Sequence, residues 1–496
     1  SYSQAPQIDS MFLRLVYGRQ FVEGMEPPID GPLEMGVAQS MVEIEPDRVW
    51  EFELRQDVFW HDGEPVTADD VILGIWMSIN KDLNPRGPSA AGIMGTTRLQ
   101  SEGGGSEIFV EGATKLGDYA IRIELEEPIL NYWKFYDTGY YPMPYHLLSD
   151  NPAKAMEQPF ATEPVGNGAF KVVRFVEGQF LELEANEDFY LGRPYLDKLI
   201  FRIAPDADTL TIAMEAQEID GMFTGIPTAA QYGRMTQLPY VMGTSVLMAS
   251  PHGFKVNNVR FPEQHAALQK AIAHALDVNT LNREFYLGTA VEHNYKLYHS
   301  VGLETPPSGY PTPEYNPDKA RQILQEANWD TNQELEWLAW YQPWAFHDAI
   351  AAMLAEVGIK TTFRRIDSAT VVQELYVDSN WDIIWTSSSG TSDMETMWRE
   401  FQCGSVYEEG GSNNSGYCNP EIDALWQQGI DESDPERRKE LFAQAMLLMA
   451  DDPYMTVIFS PNVTHVWNTR VNGAFPFHHF QAIRPPLERV WVMPQA

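Results

Sequence analysis

"WEFELRQDVFWHDGEPVTADDVILGIW", Trp50 to Trp76, opens with apolar Trp50, Phe52 and Leu54 alternating with Glu51, Glu53 and Arg55. That is the two-residue period of a strand with one buried face. Val58 and Trp60 continue it after a break at Gln56-Asp57. "HDG" then supplies turn chemistry, because Gly63 is free to take a positive φ. Thr67 and Asp70 stand three apart just ahead of Val71, Ile72, Ile75 and Trp76, a capping box with Asp in place of Glu at the head of an amphipathic helix. His61 beside Asp62, followed by Asp69 and Asp70, invites another reading as a hydrolytic or metal centre. A strand, a turn and a capped helix account for the same residues without chemistry.

A chain of 496 residues with 44% hydrophobic content is long enough for two or three domains with their own cores. Aspartate and glutamate number 70 against 34 lysine plus arginine, a formal charge of -36 spread along the chain rather than gathered in a tail. Phosphate binding needs a basic face, so nucleic acid is not an expected partner. The acidity reads first as solubility, and second as a preference for cationic or neutral ligands. No run of about 18 apolar residues is present to span a membrane. The N-terminal "SYSQAPQIDSMFLRLVYGRQ" lacks the basic-then-apolar pattern of an export signal, so any such signal is expected to be already gone or never present. Cys403 and Cys418 stand 15 apart in "FQCGSVYEEGGSNNSGYC", a loop rich in Gly, Ser and Asn. A metal site would need more ligands nearby, so a disulfide, and with it an oxidising compartment, is expected over two free thiols.

Beyond the opening stretch, "EIFVEGATKLGDYAIRIELEEP" (Glu107 to Pro128) predicts a hairpin, and "MPYHLL" and "NPAKAMEQPF" predict short helical or irregular connections. The glycine-rich turn "PVGNGAF" (Pro164 to Phe170) precedes two alternating runs, "FKVVRFV" and "QFLELEANEDFY". "YLDKLIFRIAPDADTLTIAMEAQEIDGMFTGIP" then reads as strand, helix and short strand, a rhythm that predicts parallel pairing. From about Val246 the pattern changes to an α/β layer. Leu268, Ile272 and Leu276 share one helical face, and Ala320, Ile323, Leu324 and Ala327 share another. Leu335, Trp337 and Ala339 alternate as a strand, Ile350, Met353, Leu354 and Val357 keep helical spacing, and Thr361 to Ile366 extends again. "WDIIWTSSSG" is a short strand running into small polar residues, and "DPERRKELFAQAMLLMADDPYMTVIF" is a helix followed by a strand.

Five segments, taken in order, resemble one family. "WEFELRQDVFWHDGEPVTADDVILGIW", "PVGNGAFKV", "VRFPEQHAALQKAIAHALDVNTLNREFYLGTA", "EYNPDKARQILQEANW" and "NNSGYCNPEIDALWQQG" match, in sequence, the signatures of the large extracytoplasmic solute receptors of ABC importers, the dipeptide and oligopeptide type. Asn167 and Ala169 depart from the usual Thr and Pro of the second signature. The resemblance implies an α/β, two-lobed periplasmic-binding-protein-like fold with a hinge and an extra subdomain in the first lobe. Lobe I is expected at residues 1-25, 163-245 and 470-496, the extra subdomain at 26-162, and lobe II at 246-469. It also implies a monomer without a cofactor that closes on its ligand and is read by membrane permease subunits. The place the resemblance implies is the periplasm or, as a lipoprotein, the cell surface.

Ligands of open α/β sheets lie off the carboxyl ends of the strands. One such end is "LAWYQPWAF", which offers Trp340, Tyr341 and Trp344. The other is "WDIIWTSSSGTSD", which offers Trp385, Ser387, Ser388, Ser389 and Asp393. Aromatic walls, hydroxyls and one carboxylate suit a neutral or zwitterionic oligomer. In the resembled peptide receptors an aspartate of this loop, usually followed by Pro, holds the ligand's α-ammonium; Asp393 stands there, followed by Met394. Eight of the 14 tryptophans fall between Trp329 and Trp426, which leaves an oligosaccharide on aromatic platforms as the second ligand class. Trp337 is expected in the core, with Trp385 either a wall or the last core residue of its strand. Of Arg364 and Arg365 at most one can face a ligand carboxylate, because adjacent strand residues point oppositely.

A secreted hydrolase is the remote alternative. It needs a nucleophile with its base, or paired carboxylates in a cleft, and neither G-x-S-x-G nor H-E-x-x-H occurs. "FHHF" (Phe477 to Phe480) is a lone His pair, short of the three or four ligands of a metal site. The protein is therefore expected to be a receptor for a short peptide and not an enzyme, with no bound metal.

Overall fold

The alternation that starts at Trp50 is realised as strand pairing in a computed structural model. The described residues are 22–23, 34–80, 83, 92–96, 99, 107–128, 141–157, 159–204, 207–222, 229–247, 251–288, 290–292, 306–339, 344–366, 370–371, 373–388, 397–405, 411–432, 434–460, 462–473 and 490–493. A two-residue ladder joins β1 (Val22–Glu23) to β2 (Glu34–Met35). β3 (Ala38–Glu45) and β4 (Val49–Leu54) lead into α1 (Ala68–Ile79), and β5 (Ala113–Gly117) and β6 (Ala120–Glu124) form the expected hairpin. Together the four strands make an antiparallel sheet in the order β3-β4-β6-β5. Trp50, Phe52 and Leu54 turn inward with Ile121 and Ile123 against Val71, Ile75 and Trp76 of α1, while the glutamates between them face out. Each such side chain contributes about 1.5–3 kcal/mol on full burial, which makes this alternation the local determinant of the layer. The one-turn helix α2 (Tyr145–Leu148) adds Leu148 to the same core.

The HDG turn forms as expected: the Gly63 amide donates to Trp60 O at 2.8 Å, and Gly63 takes φ +96°. Asp70 closes the helix start. Its carboxylate accepts from the Thr67 amide at 2.6 Å, the Thr67 hydroxyl at 2.9 Å and the Tyr145 amide at 2.8 Å, so the acidic side chain is spent on backbone capping.

β7 (Phe170–Val176), β8 (Phe180–Ala185) and β9 (Lys198–Arg202) form an antiparallel sheet. α3 (Ala207–Glu215), β10 (Gly221–Met222), α4 (Ala229–Met235) and β11 (Val241–Leu247) follow in the chain. The parallel pairing that the strand-helix-strand rhythm predicts does not occur here. β9 pairs antiparallel with β8, and β10 and β11 are separated by a strand from the other end of the sequence, antiparallel to both. A partner more than 200 residues away in sequence leaves no trace in a local periodicity.

The α/β layer expected after Val246 is a six-stranded mixed sheet. Its chain order is β12 (His252–Val256), α5 (His265–Ala275), α6 (Val278–Tyr286), β13 (Val291–Glu292), α7 (Pro317–Glu326), β14 (Glu334–Ala339), α8 (Trp344–Glu356), β15 (Lys360–Arg365), β16 (Ile383–Ser387), α9 (Pro420–Asp431), α10 (Pro435–Asp451) and β17 (Thr456–Ser460). In space the strands run β13-β17-β12-β16-β14-β15, with β14 parallel to β15 and β16 and the other neighbours antiparallel. Three helices start on the same device: Asn316, Asn419 and Asp434 cap α7, α9 and α10 through their side-chain oxygens, each followed by Pro. One face of the sheet carries Phe254, Val256, Leu335, Trp337, Ile383 and Trp385 against α5 to α8. The other face meets α9 and α10 through Phe401, Tyr417, Trp426, Phe442, Met446 and Tyr454.

The chain enters this sheet between β11 and β12 and leaves it between β17 and β18 (Asn462–Asn468). β18 is the strand that lies between β10 and β11, in register from Val241↔Asn468 to Leu247↔Asn462. β19 (Val471–Asn472) and β20 (Trp491–Val492) close the described part as a short ladder.

Candidate ligand site

β14 and β16 are parallel, so Ala339 and Ser387 end at the same edge of the six-stranded sheet. β12 begins at that edge, with His252 opposite Ser387, and β17 finishes there, with Ser460 opposite Val291. Both passages of the chain between the two sheets therefore start from the edge where a ligand of an open sheet is expected. The topology brings together a candidate binding edge and the two connections that would have to bend.

Trp385 is 1% exposed, with its ring 5.3 Å from Phe254, 4.8 Å from Phe346 and 5.5 Å from Phe459 in edge-on or tilted contacts. It is the core residue among the two roles left open for it. Trp337 is in the core as expected, against Phe254, His347 and Phe363. Ser387 is exposed at the end of β16. Ser388 is buried: its amide donates to Pro251 O at 2.9 Å and its hydroxyl donates to Glu400 Oε2 at 2.8 Å. Trp340, Tyr341, Ser389 and Asp393 lie outside the described residues, and Trp344 is described only as the first residue of α8. Arg364 is held by Glu336 and Glu374 and donates to Asn380 O at 2.6 Å, so its guanidinium is engaged inside the protein.

The tryptophan concentration has a packing explanation. Of the eight between Trp329 and Trp426, Trp329, Trp337, Trp381, Trp385 and Trp426 are buried, and Trp398 donates to Asp423 Oδ1 at 2.8 Å. The feature that favoured a sugar therefore belongs mainly to the two cores.

Sequence reasoning missed a polar cluster at the same edge. Lys255, on β12, is 3% exposed, and its ammonium lies 3.6 Å from Glu400 Oε2 and 5.4 Å from the centre of the Tyr454 ring. The Tyr454 hydroxyl lies 3.0 Å from Ser388 Oγ. Burial holds the Lys255 ammonium below the usual lysine range, with the Glu400 carboxylate opposing it, and burial pushes the Tyr454 phenol up. A signal was available: Lys255 stands between Phe254 and Val256 in "GFKV", a lone charge in an otherwise apolar run. The disulfide between Cys403 and Cys418 is present, with a Cα–Cα distance of 4.4 Å.

Among the described residues no group of three His, Cys, Asp or Glu side chains could hold a metal ion, and no helix is long and apolar enough to cross a membrane. His61 and Asp62 do not form a dyad. His61 is bound to Gly166 and Gly168, whereas Asp62 takes His146 Nε2 at 2.8 Å.

The sheet order and the interleaved passages of the chain define a two-lobed α/β fold with a candidate ligand edge. Residues 33–409 match the family model of bacterial extracellular solute-binding proteins, family 5, and the chain belongs to that family. The oligopeptide-binding protein AppA of Bacillus subtilis is 24% identical over 457 residues, covering 87% of this chain and 78% of that protein. The structure of AppA from Bacillus subtilis in complex with a nonapeptide superimposes with a TM-score of 0.80 at 21% identity, covering 99% of this chain and 94% of that one. DppA from Helicobacter pylori in complex with the peptide STSA gives 0.79 at 18% identity, covering 99% and 96%. The fold is thus the two-lobed fold with hinge and extra subdomain, and its family consists of extracellular binding proteins.

Proposed function

We propose that this protein is the solute receptor of an ABC importer, enclosing a short peptide between its lobes and presenting the closed form to membrane permease subunits. The observation that carries this is the family match over residues 33–409, in a fold whose binding edge is also where the chain passes between its two sheets. Relatives named for oligopeptide binding support a peptide as the ligand class. The ligand would lie off Ala339 and Ser387, with Trp340, Tyr341 and Trp344 on one side and Ser387, Ser389 and Asp393 on the other. Asp393 would take the peptide's α-ammonium, a charge-assisted bond worth about 1.5–3 kcal/mol. The hinge would comprise the two passages, and we take lobe I to resume at about residue 462 rather than 470, because β18 pairs with β10 and β11. The protein would act as a monomer, without catalysis, outside the cytoplasm, free or held by a lipid.

The test is a thermal-shift panel of di- to nonapeptides against cello-, xylo- and manno-oligosaccharides. A ligand at 100 times its Kd adds about 2.7 kcal/mol to stability, which a melting curve resolves. Shifts with peptides are expected; shifts with sugars alone would overturn the peptide assignment. Recovery of the best ligand intact after hours of incubation is expected of a receptor, and its turnover would restore the hydrolase reading.

A further inference from the structure

We propose that Glu400 is a positioning residue for ligand binding, holding the end of β16 in place by fixing Ser388. The inference rests on the reading that the ligand lies at this edge. Ser388 is the first residue after β16, and four described groups determine where it sits: Pro251 O on its amide, and Glu400, Tyr454 and, through Glu400, Lys255 on its hydroxyl side.

The cluster is poorly explained by stability alone. A buried ion pair can commonly be exchanged for apolar side chains of similar volume at no loss of stability, because desolvation offsets the Coulomb attraction. Lys255 stands on the face of the sheet where Tyr454, Phe401 and Met397 are packed, so an apolar residue would suit the site. What Glu400 supplies and an apolar side chain does not is direction, a fixed acceptor aimed at one hydroxyl. Buried charges are retained for such geometric definition in several systems.

The segment that carries Glu400 is itself pinned. The Cys403 amide donates to Asp423 Oδ2 at 2.9 Å, the Trp398 indole donates to Asp423 Oδ1, and Cys403 is tied covalently to Cys418 beside the cap of α9. Ser405 Oγ donates to Arg399 O at 2.9 Å, and Asn413 Nδ2 donates to Gln402 O at 2.9 Å. A rigid support therefore stands under the residue at which the candidate binding loop leaves the sheet, as preorganised sites require.

The experiment separates position from stability with two variants of Glu400. Glu400→Gln keeps an acceptor for Ser388 but strips the charge from Lys255's partner, whereas Glu400→Ala removes both. Melting temperature should fall in both and further in Glu400→Ala, because the Gln carboxamide oxygen still offers Lys255 an uncharged acceptor whereas Ala leaves the buried ammonium without one. Peptide affinity, measured by calorimetry well below the melting transition with the best peptide of the thermal-shift panel, should separate them. Glu400→Gln should stay within about threefold of wild type, and Glu400→Ala should lose about tenfold or more, equal to about 1.4 kcal/mol. Ser388→Ala, which removes a single hydroxyl, keeps the question open should the charge variants not fold, and should also lose affinity. Equal affinity in wild type, Glu400→Ala and Ser388→Ala overturns the positioning role while leaving the receptor reading intact. A wild-type protein that binds no peptide overturns that reading, and this inference with it.

Discussion

His61 links the turn between β4 and α1 to the turn that precedes β7: its Nδ1 accepts from the Gly166 amide at 3.2 Å, and its Nε2 lies 3.1 Å from Gly168 O. Because an amide can only donate, the imidazole proton sits on Nε2 and donates to Gly168, which fixes one neutral tautomer. Asn186 Nδ2 donates to the same carbonyl at 3.0 Å. A histidine that looked catalytic in sequence is a strut between the HDG turn and the PVGNG turn.

That strut predicts an acid-labile stability. Burial, with Lys171 adding to it and the Gly168 carbonyl opposing it, brings His61 down to about 4, and burial brings His252 down to about 4 as well. Unfolded, each titrates at about 6.5. Between those values the unfolded chain binds protons that the folded chain does not, so stability is complete above about pH 6.5, falls as pH is lowered towards 4, and levels off below. Urea melts of wild type should lose several kcal/mol between about pH 7.5 and 4.5, and His61→Ala should reduce that loss by about 2–3 kcal/mol. At neutral pH the same variant should be about 1–3 kcal/mol less stable, since it leaves the buried Gly166 amide without its acceptor while Asn186 still holds the Gly168 carbonyl. Its peptide affinity should change by less than about twofold; a loss beyond about tenfold in a folded variant would return His61 to the binding machinery.

The disulfide closes a loop with a sequence separation of 15. In the chain-entropy model a loop of that length stabilises by about 3 kcal/mol. Reduction, or Cys403→Ser with Cys418→Ser, should lower stability by that order in a denaturant titration. An unchanged midpoint would mean that the hydrogen bonds accepted by Asp423 and donated by Asn413 already hold the segment.

Trp385 separates two outcomes for the binding edge. Its ring is enclosed by Phe254, Phe346 and Phe459, so Trp385→Ala should cost about 3–5 kcal/mol of stability through the cavity it leaves. Trp385→Phe should recover most of that while leaving peptide affinity near wild type. A Trp385→Phe protein of near-normal stability that no longer binds would show that the indole reaches the ligand.

Local patterning was legible wherever one element buries one face. The alternation at Trp50, the spacing of Ile350, Leu354 and Val357, and the Asn-Pro or Asp-Pro starts of α7, α9 and α10 are each short-range and each found in place. Non-local pairing was not legible: nothing near Gly221 or Val241 reports that β18 lies between them. The candidate site was half readable for the same reason. Strand ends can be read from composition, which located the edge at Ala339 and Ser387, but burial of Trp385 depends on Phe254, Phe346 and Phe459 from three other elements. Lys255 and Glu400 are 145 residues apart in sequence, and only the sheet brings them together.

Gly253 gives the most severe expectation. It pairs with Thr386 of β16 on one side and Val457 of β17 on the other, at the register shift next to His252. A Cβ built there would stand 1.8 Å from Thr456 O and 2.8 Å from Thr456 C, both backbone atoms that cannot rotate aside. Gly253→Ala must therefore push β17 off β12, and the strand displaced is the one that continues directly into β18. Overpacking in cores commonly costs about 1–3 kcal/mol, and a clash with a central strand's backbone should exceed that range. The variant should be recovered largely insoluble, or melt at least about 5 °C below wild type. Gly63→Ala, where the added carbon meets nothing within 4 Å and only the positive φ is strained, should remain soluble and lose about 1 kcal/mol. If the two variants behave alike, the close approach of β12 and β17 is not what fixes the passage between the sheets.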